Sequence, residues 1–103
     1  MSIDTNTFVR MIVSGNVQFV AFRRFCIKAA LRIGVTGGVR NLNDGTVEIL
    51  AYGTKKQVDA MYQWAKKGPL LAKVKNVNLN YLTLKELELF SQKNDIKIFV
   101  KLD

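Results

Sequence analysis

Thr7-Phe8-Val9-Arg10-Met11-Ile12-Val13-Ser14, then Gly15-Asn16-Val17-Gln18-Phe19-Val20-Ala21, then Phe22-Arg23-Arg24-Phe25-Cys26-Ile27-Lys28-Ala29-Ala30-Leu31-Arg32-Ile33 is the stretch on which the fold turns. Residues 7–14 are β-branched and apolar, which predicts a strand with Arg10 on a solvent face or an edge. Residues 15–21 read as a connection. Phe22, Cys26, Ala29, Ala30 and Ile33 recur at helical spacing, which predicts a helix over 22–33 that Gly34 stops. Arg24, Lys28 and Arg32 repeat every four residues on another face as a solvated basic stripe. Cys26 falls on the apolar face and reads as a core residue.

Working outward, Val35 to Leu42 predicts a second strand, and Thr46 to Tyr52 a third. Asn43-Asp44-Gly45-Thr46 between them is a hairpin signal, because Asp-Gly tolerates the positive φ of a tight turn. Thr54 followed by Gln57 forms a capping box that opens a second helix, with Val58, Met61, Tyr62 and Ala65 inward. Gly68-Pro69 closes it. Met11, Tyr62 and Trp64 read as packing residues. Lys73 to Leu82 predicts a fourth strand and Ile96 to Leu102 a short last one; residues 83–93 read as a loop or a short helical turn. The order β-α-β-β-α-β with a terminal strand predicts an α+β, ferredoxin-like sandwich. Its sheet of four to five mostly antiparallel strands would carry two helices on one face. A single domain over 1–103 is expected, with 1–6 as a flexible tail.

Composition narrows the chemistry. The chain has 103 residues, 16 Lys+Arg, 8 Asp+Glu, no His, one Cys and one Pro. Without His there is no Ser/His or Cys/His nucleophilic pair, and with one Cys no thiolate zinc cluster. No apolar run reaches the ~18–20 residues of a membrane span, and the first seven residues lack a signal-peptide pattern. A cytoplasmic protein without membrane association is the expectation. The formal net charge is +8, and no acidic residue lies between Thr5 and Asn43, a stretch holding Arg10, Arg23, Arg24, Lys28, Arg32 and Arg40. A one-signed field of this kind concentrates an anionic partner.

The connection at 15–21 is where such a partner would bind. A strand running into a helix N-terminus leaves backbone N–H groups unpaired, and the helix dipole adds positive potential. Arg23, in the first helical turn, could grip two oxygens of the same anion. Spacing alone favours the plainer reading, a short connection beside an exposed arginine.

Gly15-x-Val17-Gln18-x-Val20-x-Phe22-Arg23 resembles the signature of the acylphosphatase family, which reads G-x-V-Q-G-V-x-F-R. A second family signature is matched by Gly37-Gly38-Val39-Arg40-Asn41-Leu42-Asn43-Asp44-Gly45-Thr46-Val47-Glu48, at the family's separation. The resemblance covers most of residues 7–82. It implies hydrolysis of acyl phosphates to a carboxylate and inorganic phosphate, without metal or other cofactor. It implies that Arg23 and the amides of Gly15, Asn16, Val17, Gln18, Phe19 and Val20 hold the phosphate, while Asn41 orients the attacking water. The implied partner is a small-molecule acyl phosphate, with a phosphate or sulfate ion able to occupy the loop; a monomer is expected, and nucleic acid is not.

The chemistry suits the composition. A carboxylate leaving group has a conjugate-acid pKa near ~4, so it departs without a general acid. Phosphoryl transfer then needs mainly positioning and charge stabilisation. One position departs from the family: residue 19, Gly in the signature, is Phe, which in a positive-φ turn would cost ~1–3 kcal/mol of strain. The alternative function is therefore a catalytically weak or inactive domain of this family that binds RNA or another polyanion. Against it, the third strand lacks the aromatic pattern of an RNA-stacking sheet and carries Glu48.

Overall fold

The computed structural model describes residues 6–103. Its elements are β1 (Asn6–Asn16), α1 (Phe22–Ile33), β2 (Thr36–Asn41), β3 (Val47–Thr54), α2 (Lys55–Lys67), β4 (Lys73–Tyr81), α3 (Leu84–Lys93) and β5 (Phe99–Lys101). The strands form one sheet in the order β4-β1-β3-β2-β5. Every pairing is antiparallel except β2 with β5. This is the ferredoxin-like sandwich anticipated from the element order. Asn6 opens β1 opposite Thr54; the rest of the expected tail lies outside the described residues.

The local signals act as their chemistry requires. Gly34 caps α1 in the left-handed region, its N–H donating to the carbonyl of Ala30. Thr54 caps α2, and Gln57 reciprocates by accepting from the Thr54 amide. Asp44 accepts from both the amide and the hydroxyl of Thr46, which closes the β2–β3 turn and holds the Asp44 carboxyl below its ordinary range.

α1 and α2 cover one face of the sheet. Val9, Met11, Val13, Ile49 and Ala51 from the strands meet Cys26 and Ala30 of α1 and Val58, Met61 and Ala65 of α2 in a continuous core. Each large side chain removed from water there contributes roughly 1.5–3 kcal/mol. Burial pushes the Cys26 thiol well above its ordinary pKa, so it is a packing group and not a thiolate.

The opposite face differs from the expectation in one respect. Leu84–Lys93 form a ten-residue helix, α3, where the sequence suggests a loop or a short helical turn, and a second capping box from Thr83 to Glu86 opens it. It buries Leu87 and sets Phe90 against Phe8, ring centroids 5.9 Å apart. Arg10 takes the solvent-face place of its two expected ones, partly exposed on an inner strand. It pairs with Glu48, which is 3% exposed and bridges Arg10 Nε at 2.6 Å and Arg40 Nε at 2.7 Å. The last strand is shorter than Ile96–Leu102, because the carbonyl and side chain of Asp95 hold 95–98 in a turn. Among the described residues, no helix is long and apolar enough to cross a membrane.

Candidate active site

The β1–α1 connection is fixed by its ends. Val17 and Phe22 are buried, and Phe22 meets Trp64 of α2 edge to face at 5.3 Å. Gly15 sits at the irregularity between β1 and β4 with φ 124°, and a Cβ there would lie 2.1 Å from the Lys73 carbonyl oxygen. That close approach explains why the signature opens on glycine. Between these anchors, Phe19 and Ala21 both adopt left-handed backbone, φ 62° and 59°. Phe19 thus takes the conformation that favours the family's glycine, and the residue is 97% exposed.

The outcome is a row of unengaged donors. Among the described residues, none of the backbone N–H groups of residues 17–24 donates to a protein acceptor. The N-cap of α1, Ala21, has no side-chain cap to offer, and the first turn holds no acidic residue, so the helix's positive end is uncompensated. Successive N–H groups in a turn that leads into a helix form a concave anion cradle.

Gln18 has a second role that spacing could not reveal. Its Nε2 donates to the carbonyls of Leu42 and Thr46, both at 2.9 Å. The side chain therefore clamps the cradle to the β2–β3 turn and fixes the distance between the two signatures.

Arg23 and Asn41 come together across this junction. Both line an open cavity of ≈ 510 Å³ that also includes Phe19, Ile27, Lys28 and Lys101. Asn41 ends β2, and its side-chain amide has no hydrogen-bond partner among the described residues. Arg23 Nη1 donates to Asp103 at 2.6 Å, and the other Asp103 oxygen accepts from the backbone N–H of Asn41 at 3.1 Å. Arg23 Nε and Nη2 have no protein acceptor among the described residues. Asp103 was not anticipated as part of the site; it lies eighty positions from Arg23, and no local pattern marks it.

Partial burial pushes the Asp103 carboxyl upward, but the Arg23 hydrogen bond, the Asn41 amide and the Arg23 charge outweigh it and hold the pKa below the ordinary value. A depressed carboxyl stabilises the fold fully above its unfolded pKa, and that contribution is lost as pH falls through the folded value. Both partners are about a third exposed, so solvent screening limits the effect. Asp103→Asn is expected to lower the unfolding free energy at pH 7 by ~0.3–1 kcal/mol. In urea titrations the difference from the unsubstituted chain should shrink as pH falls below the ordinary carboxylate range and the folded carboxyl takes up its proton. A difference independent of pH would show that the carboxylate charge is not what holds Arg23.

A ferredoxin-like sandwich with unengaged amides at the start of its first helix, and an arginine and an uncommitted asparagine lining one cavity beside them, defines a class of small α+β proteins with a candidate anion site. The family model described as Acylphosphatase matches residues 9–92. An acylphosphatase of Nitrosococcus oceani is 40% identical over 84 residues, covering 82% of this chain and 94% of that protein. One of Bordetella parapertussis is 46% identical over 69 residues, covering 67% and 73%. The structure of an acylphosphatase from Coxiella burnetii superposes with a TM-score of 0.81 at 31% identity, covering 98% of this chain and 99% of that one. The chain belongs to the acylphosphatase family.

Proposed function

We propose that this chain, an acyl phosphate hydrolase by family, binds the phosphoryl group of its substrate in the amide cradle of residues 17–20, just past Gly15 and Asn16 at the end of β1, and under Arg23, and directs water onto phosphorus from Asn41. The observation that carries the reading is the run of unengaged N–H groups over residues 17–24 with Arg23 and Asn41 lining one cavity beside it. The cradle amides and the free Nε and Nη2 of Arg23 meet the phosphoryl oxygens, on which negative charge is already concentrated. The Asn41 carbonyl oxygen accepts a hydrogen bond from water and holds a lone pair towards phosphorus. The new P–O bond forms as the bond to the acyl oxygen breaks, and the carboxylate leaves with the electron pair. The water proton passes to solvent or to phosphate, so no side chain has to act as a strong base. Asp103 accepts from Nη1 and keeps the guanidinium at the cavity mouth.

The protein acts as a monomer on this reading, and inorganic phosphate or sulfate competes for the cradle. The open sheet face does not favour the polyanion-binding alternative. Its centre is the Arg10–Glu48–Arg40 cluster, and Phe8 is buried beneath Phe90, so the bases of RNA have little aromatic surface to stack on. The test is phosphate release from acetyl phosphate and benzoyl phosphate by the purified chain. Turnover unaffected by chelator and competitively inhibited by inorganic phosphate is the expected result. Absence of turnover above background for both substrates would overturn the hydrolase reading.

A further inference from the structure

We propose that Phe19 determines which acyl group the site accepts, selecting acyl phosphates whose acyl part is aromatic or extended and apolar. This rests on the hydrolase reading above and goes on to name its substrate class. Phe19 stands where the family signature has glycine, and it holds a φ of 62° that a side chain adopts only at a cost. Packing does not offset that cost, because the residue is 97% exposed. A large apolar group held in strained backbone and left in water contributes nothing to the fold, so its use lies with something that arrives from solution.

What it would meet is defined by the cavity. Phe19 lines the same ≈ 510 Å³ space as Arg23 and Asn41, together with Val17, Phe22 and Ile27. The phosphoryl end of a substrate is fixed by the amides and the guanidinium, so the acyl end projects away from them into this apolar part of the opening. An acetyl group is too small to cover a benzyl ring. A benzoyl group covers it, and an offset or edge-on ring pair adds attraction beyond the area removed from water.

The experiment compares kcat/KM for benzoyl phosphate with kcat/KM for acetyl phosphate, in the unsubstituted chain and in Phe19→Ala, Phe19→Gly and Phe19→Leu. The two substrates differ in intrinsic reactivity, but that difference cancels when their ratio is compared between proteins. The ratio is expected to fall about fivefold in Phe19→Ala and in Phe19→Gly, and by less in Phe19→Leu, which keeps an apolar surface. Phe19→Gly also removes the backbone strain, so agreement between it and Phe19→Ala assigns the effect to the ring. A ratio unchanged within twofold in both, with both substrates still hydrolysed, overturns the assignment to Phe19 and leaves the hydrolase reading intact. If the unsubstituted chain hydrolyses neither substrate, it is the hydrolase reading that falls, and this proposal falls with it.

Discussion

Arg23→Ala is expected to lower kcat/KM for acetyl phosphate by about 10³-fold or more, the range seen when a cationic clamp on a transferring phosphoryl group is removed. The amides of the cradle are partial charges, and Arg23 brings a full charge to the same cavity wall. Removing it leaves the phosphoryl dianion to the amide dipoles and to neighbouring charges such as Lys28 and Lys101, point charges with no fork to grip two oxygens at once. Arg23→Lys should recover little, staying at least ~10²-fold down. A lysine ammonium is a point charge and cannot pair with Asp103 through one nitrogen while presenting two others to phosphate oxygens. Because Arg23 is 30% exposed and its pair with Asp103 is screened, the stability change should stay within ~1 kcal/mol, so the loss is not one of folding. Initial rates at saturating and limiting substrate, with urea unfolding of the same samples, check both statements. Activity within tenfold of the unsubstituted chain would remove Arg23 from the site.

The features that were legible in the sequence are those written locally. α1 begins and ends at the residues its apolar spacing and Gly34 indicate, and the capping box at Thr54 marks α2 to the residue. The signature residues are explained one by one: Gly15 by the Lys73 carbonyl, Val17 and Phe22 by burial, Gln18 by its clamp on the hairpin. α3 carries the same capping signal, Thr83-x-x-Glu86, but no clear apolar stripe. Leu84 and Leu89 stay exposed and only Leu87 is buried, so periodicity does not reveal the helix although the cap does. Two further features depend on residues brought together only by the folded sheet. Glu48 meets Arg10 across strands that pair in space, and Asp103 reaches Arg23 because β5 lies parallel beside β2. Phe19 was legible as a departure from the family; the direction of its ring was not, since that follows from backbone dihedrals no composition specifies.

Asn41 separates a side-chain role from a backbone role at one position, which makes its substitution the sharper test of the mechanism. The backbone N–H of Asn41 binds Asp103, while the side-chain amide is uncommitted. Asn41→Ala therefore keeps the contact that orients Arg23 and deletes only the group proposed to hold water. If that group acts in the transition state, kcat should fall by ~10²–10³-fold while KM changes by less than about threefold, since phosphate affinity resides in the cradle and in Arg23. Asn41→Gln keeps the same amide but carries it roughly one carbon–carbon bond further out. A displacement near 1 Å can itself cost about 10²-fold, so this variant should resemble Ala in kcat and not the unsubstituted chain. Asn41→Asp keeps an acceptor oxygen for water but sets a carboxylate near the phosphoryl dianion. Its KM should rise, and more so at low salt, where like-charge repulsion is least screened. A rise in KM with kcat unchanged in Asn41→Ala would instead place the amide among the groups that bind the phosphate, and would leave the attacking water to be positioned by the cradle alone.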